Sequence, residues 1–329
     1  MSEESILITG GTGFIGSQLA RKLVKDGHRV VLFDLYPNLN RISDICGDVQ
    51  IVEGDVGNPV DVESTIREYS ITSIFHTAAQ LSVAAATEIP KAYTANVTGT
   101  FNILEACRTQ GVKKVVFISS LSVFGPGTDF PFHQKSYRDP ASFYGASKVC
   151  GEILGNFYAH THGLDFRCVR LAVVIGPGRR GRGATVSFSQ FVEEVVLGKK
   201  AIILVPDYTI LPIIHIDDVT ELLLALWRAE KVENRIHMSG GVPIPIEEFV
   251  ESVKKHIPDA DIKFEVDPEA EQVASTWTLL TSILVEQGQA DVYREIKEIG
   301  WKLSLDTIDA IATRFVEEIR ENKDLYSSV

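Results

Sequence analysis

A glycine-rich turn near the start of the chain limits its possible folds more than any other feature. Residues Ser5–Thr9 form a short apolar strand candidate, and glycines follow at the first, fourth and seventh positions of Gly10–Gly16. From Phe14 to Lys25 apolar residues recur at a helical spacing, and Gly27 stands where helices commonly end. Glycine allows a sharp turn without a Cβ in the way, and the amide groups at a helix start attract phosphate. The segment therefore predicts the strand, turn and helix of a dinucleotide site.

The rest of the first half repeats short apolar segments with helical patterns between most of them. The strand candidates are Arg29–Phe33, Val49–Glu53, Ser73–His76, Val115–Ser119 and Phe166–Val173. The clearest helical patterns are Pro90–Gln110 and Tyr144–His162. Strands that are apolar throughout and alternate with helices favour a parallel sheet covered on both faces. The predicted fold class is α/β, with a Rossmann-type doubly wound parallel sheet.

The second half has a different pattern, which predicts a smaller substrate-binding lobe. Its helical patterns and short strand candidates are Ser187–Gly198, Asp217–Ala229, Ile246–His256, Ser304–Asn322, Ala201–Val205 and Ile236–Ser239. The chain has 329 residues, more than one compact core usually holds. We therefore expect a dinucleotide-binding domain over residues 1–175 and a C-terminal α/β lobe over residues 176–329, partly intertwined with the first. The stretch Asp267–Gln289 has no regular pattern.

Composition and charge exclude several classes of partner. The net charge of −12 and the pI of about 5.2 disfavour nucleic acid and anionic membrane. The first five residues lack the basic region of a signal peptide, and no apolar run approaches the roughly 20 residues of a membrane helix. The four cysteines are scattered without metal-type spacing and are interpreted as reduced thiols. We expect a cytoplasmic protein with a small-molecule substrate and no metal site.

An acidic residue ends the second strand candidate and bears on the choice of cofactor. Asp34 lies 18 positions after Gly16, where a carboxylate accepts hydrogen bonds from the adenosine ribose and repels a 2′-phosphate. NAD is therefore expected rather than NADP, with an ordinary turn carboxylate as the alternative. Arg41 is the nearest downstream base that would serve a phosphate instead. Asp55, after the third strand candidate, is placed to reach the adenine amino group.

Tyr144 and Lys148 form a candidate proton-transfer pair. At positions i and i+4 of a predicted helix they share one face. An ammonium beside the phenol would lower a pKa that starts near 10 towards the working pH. The alternative is a pair of exposed helix residues without a catalytic role.

These motifs together resemble the extended short-chain dehydrogenase/reductase family, which includes nucleotide-sugar epimerases, dehydratases and dehydrogenases. The segments that carry the resemblance are Gly10–Gly16, Asp55-Val56, Ala78-Ala79, Asn96, Ser119–Gly125 and Tyr144 with Lys148. The resemblance implies Tyr144 as general acid/base, Lys148 as the residue that tunes it and binds the nicotinamide ribose, and Ser120 as the anchor of the substrate oxygen. Ser122 is a second hydroxyl that competes for the role of Ser120, and Asn96 would support the site or cap a neighbour. The implied NAD contacts are Gly10, Gly13, Phe14, Ile15, Gly16, Asp34, Asp55, Val56, Ala78, Ala79, Tyr144 and Lys148.

The second half departs from the sugar-nucleotide members of that family. Val173 and Leu211 stand where those members carry an asparagine and an arginine, and the chain has no arginine between Arg235 and Arg294. A diphosphate would then lack the forked donors it favours. A basic glycine-rich loop contains Arg179, Arg180 and Arg182 instead. These three cations either clamp a carboxylate or phosphate of the substrate or form a solvated loop. His215 is interpreted as a packed or capping residue before the helix that starts near Asp217.

The sequence thus predicts an NAD-dependent oxidoreductase that acts on a secondary alcohol or ketone of a small polar, possibly anionic molecule. The first alternative is a nucleotide-sugar epimerase or dehydratase in which NAD is reduced and reoxidised within one turnover. The second is a redox-sensing regulator, which would have no need of the tyrosine and lysine pair. The family resemblance also implies a homodimer formed by two helices of each subunit, Pro90–Gln110 and Tyr144–His162. The apolar residues proposed for that face are Ala92, Ala95, Phe101, Leu104, Ala106, Val149, Ile153, Leu154, Phe157 and Tyr158.

Overall fold

The computed structural model describes residues 4–128, 134–181, 183–266 and 295–327. The chain divides into two compact units, here called unit 1 and unit 2. Unit 1 comprises Met1–Leu171 and Leu222–Met238, and unit 2 comprises Ala172–Glu221 and Ser239–Val329. The domain boundary at residue 175 stays a prediction. The irregular stretch Asp267–Gln289 lies outside the described residues.

Strands are numbered in chain order through both units. In unit 1 they are β1 (Ser5–Thr9), β2 (Arg29–Asp34), β3 (Gln50–Glu53), β4 (Ser73–His76), β5 (Lys114–Ser120), β6 (Asp165–Leu171) and β10 (Ile236–Met238). In unit 2 they are β7 (Val173–Ile175), β8 (Ala201–Ile203), β9 (Ile210–His215), β11 (Val242–Pro245), β12 (Ile262–Phe264), β13 (Glu295–Ile296) and β14 (Trp301–Lys302).

Helices follow the same numbering. They are α1 (Phe14–Lys25), α2 (Pro59–Glu68), α3 (Ser82–Thr87), α4 (Ile89–Tyr93), α5 (Gly99–Gln110), α6 (Phe143–His162), α7 (Ala184–Val196), α8 (Ile216–Arg228), α9 (Ile246–His256), α10 (Ile308–Glu321) and α11 (Lys323–Ser327). A π-helical segment, Thr94–Thr98, joins α4 to α5, so the predicted helix Pro90–Gln110 is one run with a wider turn in its middle. In the described parts of the chain, no helix has the length and apolar character to cross a bilayer.

Unit 1 is built on a seven-stranded sheet in the order β10-β6-β5-β4-β1-β2-β3. Every neighbouring pair in it is parallel. Strand order reverses at β1, because the chain goes from β1 outward to β2 and β3 and then returns to β4 on the other side. Ligands of such sheets bind at the carboxyl ends of the strands beside this reversal. The predicted doubly wound α/β fold is confirmed.

Two glycines of α6 explain how closely this helix approaches the sheet. A Cβ on Gly151 would lie 2.5 Å from the ring of Phe117 in β5, and one on Gly155 would lie 2.1 Å from the ring of Phe166 in β6. The two rings pack against each other with centroids 5.9 Å apart. The helix begins with the Ser142 side chain, which accepts a hydrogen bond from the amide of Gly145. The cap thus fixes the start of α6, and the two glycines let the middle of the helix lie close against β5 and β6.

Unit 2 contains three smaller sheets in its described residues. Strand β9 pairs parallel with β7 and antiparallel with β11, β8 pairs parallel with β12, and β13 pairs antiparallel with β14. A cluster of phenylalanines packs α7 against α9, with ring centroids 5.2 Å apart between Phe188 and Phe249. The predicted smaller α/β lobe is therefore present as an arrangement of short sheets and helices.

One predicted strand has a wrong bound, and several strands of unit 2 were not predicted. The predicted strand Phe166–Val173 is interrupted at Ala172, since β6 belongs to the large sheet and β7 to the sheet of unit 2. Strands β9 and β11 were not predicted, and each contains proline, which is unfavourable inside a sheet. In the structure Pro212 and Pro243 stand opposite each other in the β9–β11 pair.

Candidate active site

The glycine turn between β1 and α1 has the shape that a phosphate group requires. Gly10 has φ +64°, and a Cβ on it would lie 2.9 Å from the Cα of Ala78. A Cβ on Gly16 would lie 2.3 Å from the carbonyl oxygen of Gly10, so the helix start rests directly on the turn. Among the described residues no side chain caps α1 at Gly13. The helix start is thus open to an anion, and the fit of this turn to a dinucleotide is good.

Asp34 lies at the carboxyl end of β2, beside β1, and the turn holds its carboxylate in place. The amide and the hydroxyl of Thr12 donate to one carboxylate oxygen at 3.0 and 2.7 Å. The amide of Tyr36 donates to the other oxygen at 3.4 Å. The hydroxyl of Thr12 also accepts from the amide of Asn38 at 3.1 Å. Thr12 was not among the predicted site residues, although its place inside the glycine turn is a signal for this role.

The predicted contacts after β3 and β4 lie at the same edge of the sheet. Asp55 accepts a hydrogen bond from the amide of Gly57 at 2.7 Å, and the carbonyl of Val56 accepts one from Asn102 at 2.9 Å. The backbone of Ala78 packs against Gly10, as described above, and Ala79 follows it.

Lys148 is a buried cation on α6, with only 4 % of its surface exposed. Its Nζ donates to the carbonyl of Ile118 at 2.7 Å and lies 5.0 Å from the ring centroid of Phe117. The same Nζ lies 5.5 Å from the ring centroid of Tyr144. Burial lowers the pKa of Lys148 to about 8, and this effect is opposed by Cys168 and Glu152. The predicted proton-transfer pair is therefore brought together on one helix face.

The two candidate serines lie side by side where β5 ends. The Ser120 hydroxyl donates to the Ser122 hydroxyl at 3.1 Å and accepts from the Ser122 amide at 3.1 Å. A Cβ on Gly145 would lie 2.1 Å from the carbonyl oxygen of Ser122, so this serine turn touches the first turn of α6 next to Tyr144. The geometry brings both serines to the helix that carries the tyrosine and does not choose between them.

Asn96 lies in the π-helical segment and ties three parts of unit 1 together. Its side-chain oxygen accepts from the amide of Gln80 at 2.7 Å, and its nitrogen donates to the carbonyl of Gln80 at 3.0 Å. The nitrogen also donates to the hydroxyl of Ser147 at 3.1 Å, which in turn donates to the carbonyl of Tyr144 at 2.7 Å. This chain of bonds supports the backbone under Tyr144. π-Helical turns are frequent at functional sites.

Two residues near this network were missed by the sequence prediction. The side-chain oxygen of Gln80 is buried without a hydrogen-bond partner among the described residues. His76, at the end of β4, lies between the hydroxyls of Thr9 at 2.7 Å and Thr100 at 3.1 Å. Burial, together with the charge of Lys148, lowers the pKa of His76 to about 3. A neutral imidazole therefore faces the buried ammonium.

The basic loop lies in unit 2, where its described arginines contact groups of that unit. Arg179 donates to the carbonyl of Val174 at 2.5 Å and to the carbonyl and hydroxyl of Thr185 at 3.0 and 3.1 Å. Arg180 forms an ion pair with the buried Glu193. Arg182 lies outside the described residues.

His215, also in unit 2, caps the start of α8. Its Nδ1 accepts from the amide of Asp217 at 3.3 Å, and its ring packs on Phe315 with centroids 5.8 Å apart. Arg314 binds the same Asp217 at 2.7 Å, so the cluster is held by internal charges.

The fold and these contacts are typical of one class of protein: a Rossmann-type unit with an open glycine turn after β1 and with a tyrosine and a buried lysine on one face of α6. The sequence matches the NAD dependent epimerase/dehydratase family over residues 6–238. The chain belongs to this family, and it is an NAD-dependent enzyme of the extended short-chain dehydrogenase/reductase type.

Relatives of two kinds match the chain over most of its length. Bovine (Bos taurus) mitochondrial L-threonine 3-dehydrogenase is 28% identical over 94% of this chain and 82% of its own length. UDP-glucuronate 4-epimerase of Thermodesulfobacterium geofontis is 29% identical, with 98% of both chains covered.

Solved structures are similar as well. The L-threonine dehydrogenase of Clostridium difficile has a TM-score of 0.81 and 26% identity, covering 98% of this chain and 99% of that one. An L-threonine 3-dehydrogenase from a metagenome, described as monomeric, shares the fold with a TM-score of 0.82 at 24% identity, covering 96% of this chain and 99% of that one.

Proposed function

We propose that the protein is an NAD-dependent dehydrogenase that oxidises the secondary alcohol of a small polar molecule, with a 3-hydroxy amino acid such as L-threonine as the first substrate to test. The observation that carries the proposal is the buried ammonium of Lys148 beside the ring of Tyr144, with the Ser120 and Ser122 hydroxyls against the same helix start. The L-threonine dehydrogenases among the relatives, which span nearly the whole chain, support the substrate class.

The chain's own residues supply the proton chemistry of this reaction. Tyr144, as phenolate, accepts the proton of the substrate hydroxyl. The Lys148 cation stabilises that phenolate, because an opposite charge at short range favours the ionised form. Ser120 or Ser122 donates a hydrogen bond to the substrate oxygen and orients it as the carbonyl forms. Bound NAD supplies the acceptor for the hydride that leaves the substrate carbon with both bonding electrons.

The residues that would bind the cofactor also suit NAD. The open start of α1 would receive the pyrophosphate, and the carboxylate of Asp34 would accept hydrogen bonds from the adenosine ribose. Asn96 would act through other groups, since its side chain is already bonded to Gln80 and Ser147. The unpartnered oxygen of Gln80 offers an acceptor for a hydroxyl or amine of a bound molecule.

Features of unit 2 support a small substrate rather than a nucleoside diphosphate sugar. Leu211 and Val173, where sugar-nucleotide members carry polar residues, are buried apolar side chains of β9 and β7. Arg179 and Arg180 direct donors to carbonyls and a carboxylate of unit 2 itself. A substrate clamp formed by Arg179, Arg180 and Arg182 stays a prediction, to be tested by substitution.

A nucleotide-sugar 4-epimerase is the second candidate function. The epimerase from Thermodesulfobacterium geofontis matches this chain over 98% of its length at 29% identity, against 28% for the bovine dehydrogenase. The same tyrosine and lysine pair would then remove and return a proton within one turnover.

Absorbance of NADH separates the two candidates. The purified protein is incubated with NAD and either L-threonine, other 3-hydroxy acids or UDP-glucuronate, and absorbance is followed with the Tyr144→Phe variant as control. Net NADH formation with L-threonine, lost in the variant, is expected. Epimerised sugar nucleotide without net NADH would instead assign the epimerase, and activity that survives in the variant would remove Tyr144 from the mechanism.

We also propose that the protein forms a homodimer through α5 and α6. Exposed apolar side chains gather on these helices and on α4 and are Ile89, Tyr93, Phe101, Ile153 and Phe157. Of the residues first proposed for this face, Ala92, Leu104, Ala106 and Tyr158 are buried within unit 1 instead, because they face its core. Sedimentation at micromolar concentration is expected to show a dimer and Phe157→Glu a monomer; a monomeric wild-type protein would contradict the proposal.

A cytoplasmic location is proposed as well. All four cysteines are free thiols in the structure, which suits a reducing compartment. Fractionation of the cells that make the protein, with a thiol count on the recovered chain, tests this proposal.

A further inference from the structure

Glu152 lies one helical turn after Lys148 on α6 and is completely buried. Its carboxylate accepts four hydrogen bonds. Arg170 donates two of them at 2.8 Å each, Ser119 donates one at 2.7 Å, and Arg138 donates one at 3.0 Å. The four donors come from β5, from β6 and from the connection that precedes α6. The Glu152 carboxylate thus connects β5, β6 and the segment before α6, one helical turn from the lysine of the proposed active site.

The charge on this carboxylate is retained in spite of its burial. Burial raises the pKa of Glu152, but the hydrogen bonds and charge of Arg170, with Ser119 and Arg138, outweigh it and the net direction is downward. Arg170 is equally buried and stacks on the ring of Phe124 at 4.9 Å. Replacing a buried ion pair by apolar residues is often neutral or stabilising, so such a pair is weak grounds for a purely structural role. A role in the neighbouring site is the better explanation.

Arg138 differs from Arg170 in place and in exposure. It belongs to the connection between β5 and α6, and 29 % of its side chain is exposed. Arg170 reaches the same connection by donating to the carbonyl of Gln134 at 3.0 Å. The connection is therefore fastened to the Glu152 network at two points before it reaches the Ser142 cap of α6.

The charged and titratable groups around Lys148 come from three elements. They are Tyr144 and Glu152 on α6, Cys168 and Arg170 on β6, and His76 on β4. Burial holds the pKa of Cys168 well above its usual range, so it is a neutral thiol, and His76 is a neutral imidazole. While Tyr144 is protonated, Glu152 is the negative charge among these groups, and it opposes the loss of the proton from the buried ammonium.

We propose that Glu152 is a positioning residue that keeps Lys148 charged, and that Arg138 fastens the connection preceding Tyr144 to it. This inference rests on the proposed role of Tyr144 and Lys148 and adds two residues to that site. Neither Glu152 nor Arg138 touches the reacting atoms; both act through Lys148 and through the backbone that leads into α6.

Two substitutions change the net charge around Lys148 with opposite signs. Arg138→Met removes a cation and leaves Glu152 bound to Arg170 and Ser119, so the titration of Lys148 moves to higher pH. Glu152→Gln removes the carboxylate and leaves Arg170 unpaired, so the titration moves to lower pH. A loosened structure that only admits water would move the titration upward in both variants. The opposite signs therefore separate an electrostatic role from a structural one.

The titration is measured by NMR on the intact protein labelled with ¹³Cε-lysine, with the Lys148 resonance assigned by its loss in Lys148→Arg. Arg228→Met is the matched control, because Arg228 pairs with Asp26 at the opposite end of unit 1 and should leave the titration unchanged. Arg138→Lys is expected to return the Lys148 titration to its wild-type position. Glu152→Gln removes the partner of a buried arginine, so the stability of each variant is measured in parallel by urea unfolding. If Glu152→Gln does not fold, the Lys148 titrations of Arg138→Met and Arg138→Lys test the proposal.

Kinetics complete the test. We expect kcat of Arg138→Met to fall roughly tenfold with a smaller change in KM, since a displaced catalytic group costs rate more than binding. An unmoved titration in Arg138→Met, or a shift of the same sign in both variants, overturns the inference. The NMR readout needs no turnover, so it stands even if no substrate is oxidised and the proposed function fails.

Discussion

Units 1 and 2 each bury a glutamate against an arginine, and the two pairs have different neighbours. In unit 1 Glu152 binds Arg170 directly behind Lys148. In unit 2 Glu193 binds Arg180 and accepts a hydrogen bond from the amide of Gly178 at 2.8 Å, so it holds the glycine-rich loop in shape. A glutamate–arginine pair thus lies beside a charged side chain in unit 1 and stabilises a backbone turn in unit 2. What surrounds an ion pair, rather than the pair itself, indicates what it does.

The largest effect is expected at the proton-transfer pair of unit 1. Tyr144→Phe removes the phenolic oxygen and keeps the ring, and we expect kcat to fall about 10³-fold, as general acid/base catalysis contributes roughly 10²–10⁴-fold. NAD binding, measured by quenching of tryptophan fluorescence, should change little. A variant that retains more than a tenth of the activity would place the chemistry elsewhere.

The cofactor end of unit 1 gives the next largest effect. Asp34→Ala removes the carboxylate that Thr12 holds at the end of β2, and we expect the affinity for NAD to fall roughly 10- to 100-fold, because hydrogen bonds to a charged group contribute about 1.5–3 kcal/mol. Isothermal titration with NAD and NADP measures this. Unchanged affinity for NAD would show that Asp34 is only a turn residue.

Substitution of the ion pair in unit 2 should lower stability and change catalysis little. Arg180→Met breaks the pair with Glu193, and we expect a lower midpoint of urea unfolding together with a change in kcat/KM of only about twofold to threefold. Loss of a charged contact to a ligand would instead raise KM for the substrate more than about 100-fold. That result would support the predicted substrate clamp and contradict a purely structural role for Arg180.

The smallest effect is a pH dependence of stability from His76. Its pKa in the folded protein, about 3, lies below the ordinary value of 6.5, so the unfolded chain binds the proton more readily. The free energy of unfolding therefore decreases as pH falls from 6.5 towards 3, and this contribution is complete above pH 6.5. Urea unfolding of His76→Gln between pH 7 and 4.5 should show a weaker decrease than the wild type. Parallel curves for the two proteins would contradict this assignment.

The sequence predicts the site well where local spacing determines geometry. The strand Ser5–Thr9 and the helix Ile246–His256 have the predicted bounds, and the i, i+4 spacing of Tyr144 and Lys148 is sufficient to place both on one face of α6. The glycine turn is equally local at Gly13 and Gly16, which both lie against the carbonyl oxygen of Gly10.

Prediction fails where a contact joins elements far apart in the chain. Arg170 and Ser119 meet Glu152 across 18 and 33 positions, and neither spacing has a periodic signature. Gln80 meets Asn96 only because the chain after β4 passes beside the π-helical segment. Strand β9 contains Pro212, which argues against a strand in a single sequence, and its pairing with β7 and β11 is what shows that it is one. Such features depend on tertiary packing, which a single sequence does not display.

The most direct test of the account is a crystal structure of the protein with NAD bound. The account predicts the pyrophosphate at the start of α1, the adenosine ribose on Asp34, and the nicotinamide ribose within hydrogen-bond distance of Lys148, with the Tyr144 hydroxyl facing the nicotinamide ring. A nicotinamide that lies away from Tyr144, or a tyrosine side chain turned into solvent in that complex, would contradict it.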